Sequence, residues 1–223
     1  MAARRTPLSF GAEPHSSARG PGPLGLRARQ PWLLGALGAY VAVGGVSAGV
    51  AVALGHNPIA QRGWFGIRGA ASHLVSLGLG ICLGAFTVAA TRAIVRRAEW
   101  ARALHVALRP AVYGAGDGML FAVAIASATG EELLFRGLLT PTIGVLASSL
   151  VFGMLHQIRG QGRWGWMLWA TLMGVFFALM YVATGSLAGP LVAHAAINHA
   201  NLRFLRDNDP EHRARPLGGL LSR

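Results

Sequence analysis

Residues 117–139 read DGMLFAVAIASATGEELLFRGLL, and the fold of the chain turns on this stretch. Between Gly118 and Gly130 it carries no charge, and its 23 residues match the roughly twenty that an α-helix needs to cross the hydrocarbon of a bilayer. Towards its end it nonetheless holds Glu131, Glu132 and Arg136. A charged side chain at bilayer depth costs at least ~2.5 kcal/mol, so such residues are expected to face one another or a wet cavity.

Working outward, the same kind of apolar block recurs at about 32–54, 70–95, 141–158, 165–184 and 186–205, with Pro141 and Pro190 at the breaks. The expected fold is all-α, a polytopic transmembrane helix bundle of about six spans. Composition agrees: 53% of the 223 residues are hydrophobic and 13% charged, about half the charge of a soluble domain. The 31 glycines suit helices that approach closely in lipid. Residues 96–110, RRAEWARALHVALRP, place Trp100, Leu104 and Leu108 four apart with arginines on other faces. They predict an interfacial amphipathic helix before the third span, stopped by Pro110. Residues 55–68 form a polar turn with Pro58 and Trp64 at the interface. No internal repeat is visible.

Residues 1–30 are rich in Arg, Gly and Pro and are expected to be a disordered basic tail, too long and broken to open a cleaved signal peptide. The first apolar block is then a retained anchor. Residues 31–206 form the transmembrane helical domain, with its catalytic core at about 111–206, and 207–223 a polar C-terminal tail.

The net charge is +12, and arginine is the only long basic side chain, a codon-usage hint of a bacterial source. The arginines lie between and outside the apolar blocks, which fits membrane headgroups and argues against a nucleic-acid partner. With six spans, seventeen arginines fall on one face and only Arg62 and Arg68 on the other. The positive-inside rule then puts both termini in the cytoplasm, in a bacterial inner membrane. The single cysteine, Cys82, lies in an apolar block, forms no internal disulfide and reads as a small buried hydrophobe.

The polar residues inside the blocks fall into groups at helical spacing. Glu132 and Arg136 are four apart, in the favourable order for an ion pair that neutralises both. Glu131 points about 100° away round the helix, which leaves it to serve as a general base or acid. Phe152 and His156 share a face on the fourth block, as do His194 and Asn198 on the sixth, with Asn201 a turn further along. His199 follows Asn198 directly, so either histidine of HAAINH is able to turn inward. Depth presents a difficulty. In a straight six-span bundle Glu131 lies ~20 Å from the cytoplasmic end of its helix and His156 close to that face. The two then meet only if the third block tilts, breaks or enters the membrane differently, and Gly130 is the expected place for a break, lining a wet cavity.

EELLFR (131–136), FGMLH (152–156) and HAAIN (194–198) resemble the EExxxR, FxxxH and HxxxN motifs of the CAAX-protease and bacteriocin-processing family of intramembrane endopeptidases, also called Abi or CPBP. The match covers about 117–205, with all three motifs in order. The resemblance implies a helical bundle with its site sunk in the membrane and a membrane-associated or lipid-modified peptide as substrate. It makes Glu131 and His156 the pair that activates a water, His194 and Asn198 the oxyanion stabilisers, and Glu132, Arg136 and Phe152 supporting residues. Glu131, His156 and His194 are also acceptable zinc ligands, but HExxH is absent and the metal-free form is favoured.

Other chemistries fit less well. GAGDG (114–118) looks like the GxGD signature of intramembrane aspartyl proteases, but the partner aspartates Asp207 and Asp209 lie in the tail, so Asp117 reads as a helix N-cap. Gly185-Ser186 supplies no recognisable serine-protease motif with a histidine partner. A proton or cation transporter would use the same carboxylates and histidines, without the inverted repeat common there. A non-catalytic scaffold or immunity protein of the same fold is the remaining alternative. Neither a substrate nor an oligomeric state is legible.

Overall fold

The computed structural model describes residues 31–209 apart from Gln161, so the predicted tail at 1–30 and the segment 210–223 lie outside the described residues. The helices are α1 (Pro31–Ala53), α2 (Ala70–Arg97), α3 (Glu99–Val112), α4 (Asp117–Glu132), α5 (Thr140–Ile143), α6 (Val145–Leu155), α7 (Arg163–Thr184) and α8 (Ala188–Asp207). A π-helical stretch, Leu133–Leu139, joins α4 to α5. Among the described residues the fold is all-helical, apart from one isolated bridge between Ala60 and Ser186.

The bundle buries small polar residues and a charged cluster beside its apolar core and turns large apolar side chains outward. Ser72, Ser76, Thr87, Ser127, Glu132, Arg136, Ser148 and His194 are buried, while Leu34, Val41, Leu74, Leu79, Phe86 and Leu146 are exposed. That arrangement suits lipid rather than water as the solvent, so the chain is an integral membrane protein. α1, α2, α7 and the continuous run Asp117–Ile143 are each long and apolar enough to cross a bilayer. The fourth and sixth blocks differ: α6 has only 11 residues, about 16 Å of helix, and α8 carries two histidines, two asparagines and two arginines.

Small residues set the packing. The buried face of α2 is Ser72, Ser76, Gly80, Gly84 and Thr87, a stripe at near-helical repeat that lets α8 run close alongside. A Cβ at Gly80 would collide with the Gly189 backbone, and Ser76 donates to the Ser186 carbonyl at 3.0 Å. α1 meets α4 in the same way, where a Cβ on Gly130 would strike the carbonyl of Tyr40. The expected break at Gly130 is therefore absent. The backbone stays helical there, and glycine is needed for close approach to α1 instead. The irregularity comes one turn later, as the π stretch. Pro141 lacks an N–H and its ring would clash in an α-helix with the carbonyl four residues back, at Gly137; the wider π turn relieves both.

Glu131 and His156 meet through a helical hairpin. Its turn is Gly144 at φ 86°, and α6 runs back antiparallel to α4 and α5. Thr140 reaches Ser148 at 3.0 Å, Phe135 packs on Phe152 with centroids 4.8 Å apart, and Glu131 faces His156. Glu131 lies thirteen residues before Gly144 and His156 twelve after it, so the two stand at one depth. The apparent difference in depth came from taking the fourth block as a full span; α6 stops at the level of Glu131.

Two further expectations at the α3 end are corrected. α3 continues through Pro110 to Val112, and its buried face includes His105 as well as Ala101 and Val112. Asp117 is the first helical residue rather than the cap, which is Gly116; the Asp117 carboxylate pairs with Arg206 at 2.7 Å. At the other end, the 55–68 segment is more than a polar turn. Its backbone is laced to the α7–α8 connection, with Trp64 N donating to Val182 O at 2.9 Å and Gln61 N to Gly185 O at 2.8 Å. Cys82, read as buried, is exposed on the outer face of α2.

Candidate active site

The π stretch, α4, α6 and α8 deliver the polar residues to one point. Arg136 is wholly buried and donates to Glu132 Oε1 at 2.9 Å and to the Gly174 carbonyl of α7 at 3.0 Å. Its guanidinium also lies over the rings of Phe152 and Phe177, at 4.8 and 5.1 Å. Glu132 Oε1 takes a second bond, from His194 Nδ1 at 2.7 Å. The ion pair thus anchors α4 to α7 and fixes a histidine of α8, with Phe177 stacked on the imidazole at 5.3 Å.

Tautomers follow from these partners. An ionised carboxylate only accepts, so His194 carries its proton on Nδ1 and presents Nε2 as a lone pair. His156 behaves alike: its Nδ1 lies 2.7 Å from the Phe152 carbonyl, which also only accepts. Both free Nε2 atoms stand 3.7 Å from the same atom, Glu131 Oε2. That oxygen is buried and has no hydrogen-bond partner among the described residues. Three lone pairs converge, at separations that suit a bridging donor such as a water.

Tyr40 of α1 completes the surroundings, its hydroxyl hydrogen-bonding the Glu131 side chain. It was not read from the sequence; a lone tyrosine in an apolar block gives no sign that packing of α1 on Gly130 will bring it there. Trp166 was missed for the same reason, and its indole stands edge-on to His156 at 5.6 Å. Phe152 supports the site from below, 4.3 Å from the His156 ring and 5.9 Å from His194.

Asn198 lies a turn away. Its amide donates to Ser127 Oγ of α4 at 3.0 Å, and Ser127 passes on to the Ala124 carbonyl. His194, not His199, faces the site; His199 packs edge-on to Phe121 at 5.5 Å. Asn201 is bound to Arg92 at 2.8 Å, outside the cluster.

Glu131, His156 and His194 are donors of the kinds that zinc takes. Among the described residues no three such side chains stand together closely enough to hold an ion. Ligands sharing a tetrahedral zinc stand roughly 3.3 Å apart, against 3.7 Å for each Glu131–imidazole pair. Serine chemistry is corrected in one respect and stays excluded in another. Ser186 does have a histidine partner, His73 Nδ1 at 2.7 Å. The hydroxyl is wholly buried, however, and is used by the backbone N–H of Ala188 at the start of α8.

Residues 118–200 match the family model of the type II CAAX prenyl endopeptidases, Rce1-like, so the resemblance carried by the three motifs holds from α4 to α8. A stretch of 91 residues is 37% identical to YpbD of Bacillus subtilis (strain 168), an uncharacterized protein, over 38% of this chain and 48% of that one. The chain thus spans about half the length of the curated relative it matches. No solved structure matches it. α1, α2 and α3, and with them Tyr40, lie outside the matched region.

Proposed function

We propose that this chain is an intramembrane endopeptidase that hydrolyses a peptide bond of a membrane-associated or lipid-modified substrate, using a water activated by Glu131 and His156. The observation that carries this reading is the convergence of Glu131 Oε2 with two unprotonated imidazole nitrogens, each at 3.7 Å. A water placed among them donates to Glu131 and to His156 and turns a lone pair towards a peptide carbonyl. Its oxygen bonds to the carbonyl carbon as the proton passes to Glu131, and the carbonyl oxygen becomes an oxyanion. The proton then moves to the amide nitrogen as the C–N bond breaks.

His194 and Asn198 are the proposed oxyanion donors. Asn198 keeps one amide N–H beyond its bond to Ser127, and His194 gains an Nε2–H as the water's proton passes to it from Glu131 on the way to the amide nitrogen. Glu132, Arg136 and Phe152 hold this set in place, and Tyr40 holds the Glu131 carboxylate. The donor spacing leads us to draw the chemistry without a metal. The arginine-rich end that carries α3 faces the cytoplasm of a bacterial inner membrane, which puts both termini on that side.

The test is cleavage of a membrane-bound peptide by the full chain in liposomes. Glu131→Gln and His156→Ala should each lower turnover by about 10²–10⁴-fold with the thermal transition unchanged. Cleavage retained by either variant refutes the assignment, and a proton flux abolished by Glu131→Gln would replace it with transport.

A further inference from the structure

A second cleft opens between α2, α3 and α8, apart from Glu131. It has two compartments that share Arg92, Val95, His105 and Phe204 in their walls. The inner one holds about 90 Å³ and is walled chiefly by Trp100, Leu104, Leu108, Trp166 and Trp169. The outer one holds about 350 Å³ and is walled in addition by Arg96, Arg102, Asn208 and Asp209.

Among the described residues the charges of the outer compartment do not cancel. Arg92 donates to the Asn201 side chain and the Ala200 carbonyl and stacks on Phe204 at 3.9 Å; none of these is an anion. Among the described residues Arg102 reaches only the Arg96 carbonyl, at 3.3 Å. Arg96 has no side-chain hydrogen bond or ion pair among the described residues. The one carboxylate in the wall, Asp209, is shared with Arg109 at 3.4 Å. His105 is 2% exposed and gives its Nε2 proton to the Asn208 carbonyl at 2.9 Å, which leaves Nδ1 buried without a partner among the described residues.

Three guanidinium groups at the mouth of an indole-lined slot call for a ligand with an anionic head and an apolar tail. Inorganic phosphate answers only the arginines, and a neutral hydrocarbon only the slot. Basic pockets between helices at the positive end of a membrane protein bind anionic headgroups, each arginine adding about 1 kcal/mol near the surface. We propose that this cleft binds one anionic phospholipid, its phosphate on Arg96 and Arg102 beside Arg92 and the head of one acyl chain against Trp100, Leu104 and Trp166. The lipid would then touch, through Trp166, the indole that stands against His156. The inference goes beyond the proteolytic reading and does not rest on it.

The experiment is native mass spectrometry of the delipidated full chain titrated with dioleoyl phosphatidylglycerol or dioleoyl phosphatidylcholine. One phosphatidylglycerol should be retained with at least tenfold preference. Arg96→Gln combined with Arg102→Gln should remove that preference, and Leu104→Glu should weaken retention of either lipid. Arg68→Gln, at the opposite end of α2, should change nothing. Circular dichroism keeps unfolded variants out of the comparison. Equal retention of the two lipids, or a preference that survives the double substitution, overturns the proposal. So does full displacement of the lipid by millimolar inorganic phosphate or by a soluble anionic peptide, which would make the cleft an anion site without a tail slot.

Discussion

Arg136→Met isolates the most exposed weakness of this bundle. The guanidinium is 1% exposed and Glu132 is 0% exposed, so water cannot replace either partner. Removing Arg136 deletes the bond to Glu132 at 2.9 Å and the bond to the Gly174 carbonyl at 3.0 Å, and leaves a buried carboxylate held by His194 alone. Breaking a buried pair from one side costs about 3–5 kcal/mol, because the surviving charge is uncompensated. A chain of this size shifts its midpoint by about 2–4 °C per kcal/mol, so the fall should be ~6–20 °C. Thermal unfolding in detergent, followed by circular dichroism, reads it. Glu132→Gln added to Arg136→Met removes the orphaned charge and should recover most of that loss. Turnover of the double variant should stay below wild type, because a neutral glutamine no longer balances a protonated His194. A single variant within 2 °C of wild type, or a double variant no more stable than the single, would refute the reasoning.

Tyr40→Phe removes the hydroxyl from Glu131 without opening a cavity; kcat should fall about tenfold with KM and the thermal midpoint unchanged, and equal activity in steady-state kinetics would remove Tyr40 from the site. Prolonged treatment with a zinc chelator should leave turnover intact; loss of activity restored by Zn²⁺ would show that the donors close on an ion. His105 supplies a pH test. Burial pushes its imidazole below the usual histidine range, with Arg109 and Arg92 adding to the effect and the Asn208 carbonyl and Asp209 opposing it. Its neutral form is therefore favoured on folding. That contribution is full above the ordinary histidine value of about 6.5 and is lost as pH falls towards the folded value. Thermal midpoints measured from pH 7.5 to 5 should drop in the wild type, and the drop should be smaller in His105→Gln.

The helices were legible because the quantity that defines them, the length of an uncharged run, is local. The 117–139 block and its neighbours at 32–54, 70–95 and 165–184 lie within two residues or so of the structured elements. The Glu132–Arg136 pairing was legible because four residues along one helix suffices to bring the two together. What failed was whatever depended on a second element. The depth of His156 follows from where α6 starts, because the turn at Gly144 splits the 141–158 block without interrupting its hydropathy. Tyr40 reaches Glu131 only through the contact of α1 with Gly130, and His73 reaches Ser186 across 113 residues. The lacing of the 55–68 segment is backbone to backbone except for Tyr181, whose hydroxyl donates to the Asn57 carbonyl, and so leaves little trace in the side chains.

The hairpin about Gly144 also behaves as a measuring device. Because Glu131 and His156 count almost equal numbers of residues from one turn, a single residue inserted into either arm would slide its side chain by about 1.5 Å and rotate it by about 100°. The 156–162 connection carries no such register, and lengthening it would leave both arms where they are. The number of residues between Glu131 and His156 is thus itself part of the site, whereas the length of the 156–162 connection is not.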